Sequence, residues 1–264
     1  MDIYLKNLNI SLEEAISKAS ANDIIYLADK IYFEKIVVDK PNITIIGSNN
    51  SGICFNDCHS TIIRGGDGRK TYGTTGSASF TVKPTGDGFK AYNVSFINSY
   101  KRTKEQHGQA VAFKSECSNI LLDNCRFIGH QDTLYVDFGK NNIIKNSYIE
   151  GDVDFIFGSA DCIFEKCIIK AINNERNIAY YTAPDTFISN KQGFIFEDCE
   201  FIADEDMELY LGRPWFPSKS KEKVYPRIEF KNCLINKNTN LFLKQMHEAD
   251  PKDFVLKIID CKLV

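Results

Sequence analysis

Net charge, tryptophan and long apolar runs are all scarce in this sequence, and no compact cysteine framework is present. The formal net charge is −3 over 264 residues, which leaves no basic footprint for nucleic acid or an anionic membrane surface. No stretch approaches the ~20 apolar residues of a membrane-spanning helix, so no membrane partner is expected. The opening Met1-Asp2-Ile3-Tyr4-Leu5-Lys6 lacks the basic-then-apolar layout of a secretory signal. Nine cysteines, an odd number without tight spacing, point to a reducing compartment. These features predict a cytoplasmic protein, the alternative being a secreted one whose signal has been removed. With a single Trp, the aromatic mass rests on 19 Phe and 12 Tyr, and 43% hydrophobic residues suffice for a sizeable core.

Helical periodicity is also rare. Only the segment from Leu12, with Ala15, Ile16 and Ala19 following at helical spacing behind a Ser11/Glu14 capping box, reads as a helix, over about 11–21. The remainder consists of short strand-like runs separated by a recurring phrase: a polar residue, a small residue, then an apolar pair nearby. Examples are Asn124-Cys125-Arg126-Phe127, Asp198-Cys199-Glu200-Phe201 and Asn232-Cys233-Leu234-Ile235. The small positions 94, 125, 147, 167, 199, 233 and 261 are separated by 31, 22, 20, 32, 34 and 28 residues. An uneven period of this size suits a solenoid with loops of varying length on one side. Two-residue hairpin signals do not recur, so the returning strands are parallel. The predicted fold is all-β: one domain over 1–264, a single-stranded right-handed parallel β-helix of roughly eight or nine coils at ~4.8 Å each. The N-terminal helix caps one open end. The cysteines at 125, 167, 199, 233 and 261 form an inward packing ladder, whereas Cys54, Cys58 and His59 lie outside it and make only a weak metal candidate.

The most informative run is Gly151-Asp152-Val153-Asp154-Phe155-Ile156-Phe157-Gly158, with Gln131-Asp132-Thr133-Leu134-Tyr135 upstream. Carboxylates set among Phe and Ile are paired or used, and an apolar wall drives neighbouring carboxyl pKa values apart. Asp152 would share a face with Asp154 on a regular strand, and His130 reads as packed or solvated. With Ser77-Ala78-Ser79-Phe80, Gln109-Ala110-Val111-Ala112, Thr182-Ala183-Pro184 and Leu211-Gly212-Arg213-Pro214-Trp215 added in order, the chain resembles the pectin methylesterase (pectinesterase) family, bacterial type, from about Ser11 to Trp215.

That resemblance implies a parallel β-helix that removes methyl esters from galacturonate units with two aspartates and no cofactor or metal. It assigns Asp154 as nucleophile, Asp132 as general acid/base, Gln109 and Gln131 as oxyanion donors and Arg213 as the partner that positions the nucleophile. It also puts Tyr135, Phe155 and Trp215 along the sugar-binding cleft. The chemistry agrees. Attack needs an ionised Asp154, which Arg213 is expected to hold at a low pKa, and the departing methoxide needs a proton from Asp132. The implied partner is methyl-esterified galacturonan or an oligogalacturonide, and the protein is expected to be a monomer. Two departures stand out. A glycine is lost at Lys30 in Lys30-Ile31-Tyr32-Phe33-Glu34, and a glycine-tryptophan segment is missing from Lys237–Val264. The competing readings are a catalytically silent carbohydrate-binding solenoid and an esterase or thioesterase for a non-pectin ester. Chain-cutting lyases and hydrolases fit poorly, because they call for a calcium site or for carboxylates flanking a glycosidic oxygen.

Overall fold

The computed structural model describes residues 1–57, 73–103, 108–173, 175–217, 220, 222–241 and 253–264. Among these residues the short strands pair in parallel into three sheets of ten, eight and nine members. Apart from the first two strands, Asp2–Tyr4 and Ile24–Tyr26, neighbours within a sheet are every third strand of the chain, so each coil lends one strand to each sheet. The result is a right-handed parallel β-helix, the hand that parallel crossovers favour. No helix of the described residues is long and apolar enough to cross a membrane.

The recurring phrase is the corner between the ten- and nine-stranded sheets. Asn93, Asn124, Asn146, Lys166, Asp198, Asn232 and Asp260 all sit there in the left-handed region, with φ from 50° to 57°. Asn and Asp tolerate this conformation because a short polar side chain bonds locally; Lys166 has no such help. Corner side chains also bond from coil to coil, as where Asn124 Nδ2 donates to Asn93 Oδ1 at 2.7 Å. The small residue that follows turns inward. Val94, Cys125, Ser147, Cys167, Cys199 and Cys233 are buried, and the thiols of Cys125, Cys167 and Cys199 donate to carbonyls of an earlier coil. Burial pushes the Cys125 thiol up to about 12, so it is a packing group and not a nucleophile. Cys54 is buried, and Cys58 and His59 lie outside the described residues.

Phenylalanines fill the barrel in register. Phe164, Phe196 and Phe230 stack across three coils with centroids 4.5 and 5.2 Å apart. Phe196 also meets Phe201 edge-on, so its ring has no room to be replaced by collapse. Phe196→Ala is therefore expected to cost about 3–5 kcal/mol in chemical denaturation; a loss below about 1 kcal/mol would show that the ladder repacks.

Helix α1 (Leu12–Lys18) is shorter than the sequence suggests. Its N-terminus is capped by Ser11 Oγ, which accepts from Glu14 N–H at 3.0 Å. Glu34 takes the N–H groups of Leu12 and Glu13, a role for this carboxylate that the sequence does not reveal. The helix stops because Ala19 is already extended and the chain reverses at Asn22, φ 69°. Its buried face of Leu12, Ala15 and Ile16 packs on Ile36–Val38, the edge of the eight-stranded sheet. That sheet comprises β1 (Ile36–Val38), β2 (Phe80–Val82), β3 (Phe113–Ser115), β4 (Leu134–Val136), β5 (Val153–Gly158), β6 (Ile178–Pro184), β7 (Glu208–Gly212) and β8 (Thr239–Asn240).

Candidate active site

The motif residues converge on the outer face of the eight-stranded sheet, where successive coils bring β3 to β7 side by side. Two aspartates there have left-handed backbones: Asp132, just before β4, at φ 66°, and Asp154, in β5, at φ 53°. Non-glycine residues held in this region outside ordinary corners concentrate at functional sites. At Asp154 the consequence is local and large. The register between β5 and β6 shifts between Val153 and Ile156, and the two-residue alternation of the strand is lost. Phe155 and Ile156 both turn into the core, and Phe157 comes out on the other side. The expectation that Phe155 lines the cleft is thus corrected: it is fully buried against Tyr181. Phe157 takes the cleft position, stacked on Tyr135 at 4.3 Å. Gly158 closes the strand at φ 126°, where a Cβ would lie 2.0 Å from the Val136 carbonyl oxygen.

Arg213 arrives from the end of β7, its own N–H donating to the Thr182 carbonyl at 3.0 Å. Its guanidinium grips Asp154 with both ends of the fork, Nε to Oδ1 at 2.7 Å and Nη2 to Oδ2 at 2.6 Å. The same group lies 4.4 Å above the Tyr180 ring, which stacks on Tyr210. A planar cation held between a carboxylate and an aromatic face has little freedom left.

Both aspartates are raised above the usual carboxylate range. At Asp154 burial outweighs Arg213, so the sequence-based expectation of a low pKa is corrected in direction; the guanidinium limits the rise and does not reverse it. Asp132 is raised well above the ordinary value, by burial first and then by the charge of Asp154, and among the described residues no comparable fork holds it. The Arg213 fork limits the rise at Asp154 while the neighbouring negative charge adds to the rise at Asp132, so the two proton affinities are driven apart.

Gln109 and Gln131 line the same pocket of about 190 Å³ with Asp132, Asp154, Arg213 and Trp215. Thr74, absent from the sequence-derived set, donates its hydroxyl to Gln109 Oε1. Ser77 holds this arrangement together, its hydroxyl donating to the Thr74 carbonyl at 2.6 Å and accepting from Val111 N–H at 3.0 Å. Trp215 stands at the edge, packed against Phe157 at 6.1 Å. Tyr135 lies behind Phe157, largely buried, and faces a neighbouring pocket instead of the one between the aspartates.

Behind the site, Asp152 is fully buried and paired with Arg102 at 3.0 Å, with His130 Nδ1 3.9 Å from the same carboxylate oxygen. Burial lowers the pKa of His130, and the charges of Asp152 and Arg102 oppose one another there. Arg102 also counteracts the rise of Asp132. No motif marked Arg102, because its partner is distant in sequence.

A protein-family model described as Pectinesterase matches residues 4–237. The chain is 32% identical over 224 residues to Pectinesterase 31 of Arabidopsis thaliana, covering 78% of this chain and 66% of that protein. It is 35% identical over 164 residues to a pectinesterase of Sitophilus oryzae, covering 59% of this chain and 42% of that one. It thus spans less than two thirds of either relative. Among solved structures, a pectin methylesterase in complex with a hexasaccharide superposes with a TM-score of 0.83 over 97% of this chain and 86% of the other. At 21% identity that likeness is one of fold.

Proposed function

Because the chain belongs to the pectinesterase family, we propose that it hydrolyses methyl esters of galacturonate units in pectin or its oligomers, with Asp154 as nucleophile and Asp132 as acid and then base. The observation that carries this reading is the bidentate Arg213–Asp154 pair beside an aspartate whose pKa is raised further still. An Asp154 oxygen attacks the ester carbonyl carbon, and the carbonyl electron pair moves to oxygen, within reach of the Gln109 and Gln131 amides. Collapse breaks the bond to methoxide, which leaves as methanol with the proton of Asp132. The product is an anhydride between Asp154 and the uronate. Asp132, now a base, takes a proton from water, whose oxygen attacks the anhydride and returns the Asp154 carboxylate.

The hydroxyl of Thr74 on Gln109 Oε1 leaves the NH₂ end as the donor. Gln109→Ala is accordingly expected to lower kcat by roughly 10²–10³-fold with a smaller change in KM, the mark of an oxyanion contact. A KM effect alone would make Gln109 a ground-state binding group.

The test of the reading is methanol release by the wild-type protein from methyl-esterified oligogalacturonides, from highly esterified pectin and, for contrast, ester turnover on a simple aryl acetate. Methanol from either uronate substrate supports the proposal, and the better substrate gives the preferred chain length. Turnover of the aryl ester alone would favour a non-pectin esterase. Saccharide binding with no turnover would favour a silent binder.

A further inference from the structure

At the entry to the eight-stranded sheet, successive coils bring Arg102, His130, Asp152 and Arg176 together. They follow Ser95–Asn98, Arg126–Ile128, Tyr148–Gly151 and Ile168–Ala171, which are neighbours in the nine-stranded sheet. The side chains of Arg102 and Asp152 are 3% and 0% exposed, with Nη1 3.0 Å from Oδ2. A guanidinium keeps its proton in a protein, and a cation this deep needs an anion beside it, so the contact is an ion pair. It is not saturated: among the described residues Nε and Nη1 of Arg102 and Nδ1 of His130 make no hydrogen bond. An apolar pair of similar size is commonly as stable or more so, and stability alone does not account for these charges.

The pair straddles the segment that carries Asp132: Arg102 belongs to the coil before it and Asp152 to the coil after it. Asp152 is tied to both of its neighbours. Its N–H donates to the His130 carbonyl at 3.3 Å, and its carbonyl accepts from Tyr180 N–H at 2.9 Å; the Tyr180 ring is the one beneath Arg213. Its Oδ1 accepts from Val153 N–H, and the Val153 carbonyl accepts from Asp132 N–H at 3.1 Å. Asp132 is thus faced by Asp154 and Arg213 in the pocket and by Asp152 and Arg102 behind it, and Asp154 meets the same rear pair. At both aspartates Arg102 opposes the rise in proton affinity and Asp152 adds to it. Arg176 approaches the pair from the following coil, and Glu150 and Lys101 face His130. His130, its pKa lowered by burial, is neutral at pH 7 and above.

We propose that Arg102 and Asp152 are positioning residues for the hydrolysis: Asp152 anchors the backbone that leads into Asp154, and the two opposite charges together fix the pH range in which the pocket aspartates work as acid and nucleophile. The inference rests on the pectinesterase reading for the reaction, whereas the charge balance is a property of the fold. Removing the anion alone leaves the Arg102 cation uncompensated behind both aspartates, because a guanidinium does not shed its proton. Both carboxylates are then favoured, and the whole bell of activity against pH moves down. Removing both charges restores the balance and returns the bell. A role confined to packing would change the height of the bell or the stability of the protein and leave its position alone.

The experiment compares the wild type, Asp152→Asn and Arg102→Met/Asp152→Asn. Asn keeps an oxygen for Val153 N–H; Asp152→Thr, whose hydroxyl can also accept there, repeats the test should the Asn variant not fold. Methanol release from methyl-esterified trigalacturonate is followed against pH, and the Asp132 carboxyl carbon, identified by its absence from Asp132→Asn, is titrated by NMR. In Asp152→Asn both limbs of the bell and the Asp132 titration are expected to move down by about one pH unit, and in the double variant to lie within about half a pH unit of the wild type. The proposal is overturned if removal of the anion leaves the bell and the Asp132 titration where they were, or if the double variant stays as far displaced as the single one. Should the wild type release no methanol, the esterase reading falls separately, and the carboxyl titration, which needs no substrate, still decides the pair.

Discussion

Asp154→Asn is expected to release methanol roughly 10⁴–10⁶ times more slowly than the wild type, while the fold survives. The loss is chemical. An amide cannot form the anhydride, and its oxygen is a far weaker nucleophile than a carboxylate. The substitution is chosen for the backbone: position 154 lies at φ 53°, where Asn is among the few residues at ease, so the break in strand alternation that sends Phe157 outward is kept. The Asn oxygen can still accept from one arm of Arg213. The other arm keeps its Tyr180 face, and the Arg213 side chain is 23% exposed, so water can replace the lost contact. Melting temperatures are expected to agree within a few degrees, since about 1 kcal/mol moves a protein of this size by about 2–4 °C. Residual activity within tenfold of the wild type, measured as methanol per folded enzyme, would remove Asp154 from the nucleophile's place.

The second large effect combines a loss with a gain. Asp132→Asn is expected to cost roughly 10²–10⁴-fold in kcat, because methoxide would have to leave without its proton. The same variant is expected to melt above the wild type at neutral pH. The sign follows from linkage. Asp132 has a higher pKa folded than unfolded, so the native state binds this proton more tightly. As pH climbs past the unfolded value of about 3.9, the unfolded chain releases its proton first, and stability declines until the folded group has also titrated. Asn does not titrate and carries no charge toward Asp154. The gap in melting temperature should be near zero below about pH 4 and widen toward neutrality. A gap independent of pH would mean that Asp132 is not held protonated by its surroundings. The catalytic counterpart is loss of activity at alkaline pH, as Asp132 gives up the proton it must donate; because the aspartates titrate as a pair, the limb belongs to both.

Legibility varied with how local the physical cause was. The corners could be read because each demands a left-handed residue and then a small one, a local requirement that leaves Asn-Cys or Asp-Cys in the sequence. Gln109, Gln131, Asp132, Asp154 and Arg213 could be grouped from motif order, and coil stacking brings them to one pocket. Phe155 was misplaced because the family resemblance supplied the aromatic run but not which of its rings faces the cleft, and the left-handed residue at Asp154 resets the side from which Ile156 and Phe157 emerge. Thr74 and Arg102 were missed because they act across coils on partners far away in sequence. The direction of the Asp154 shift was misjudged because a sequence reveals the guanidinium but not how much water is removed from around the pair.

The stacking of coils has one more consequence. Leu134 pairs with Ile156, and the Asp132 amide donates to the Val153 carbonyl at 3.1 Å, so the two aspartates occupy the same station on adjacent rungs. Their separation follows the ~4.8 Å repeat of the backbone ladder, with Asp132 held in the turn that leads into its rung. Such a ruler is indifferent to what decorates the rim: turns can lengthen or shorten on the loop side without altering the gauge between acid and nucleophile. Inserting a whole rung between them, by contrast, would leave every coil well packed and the chemistry out of reach.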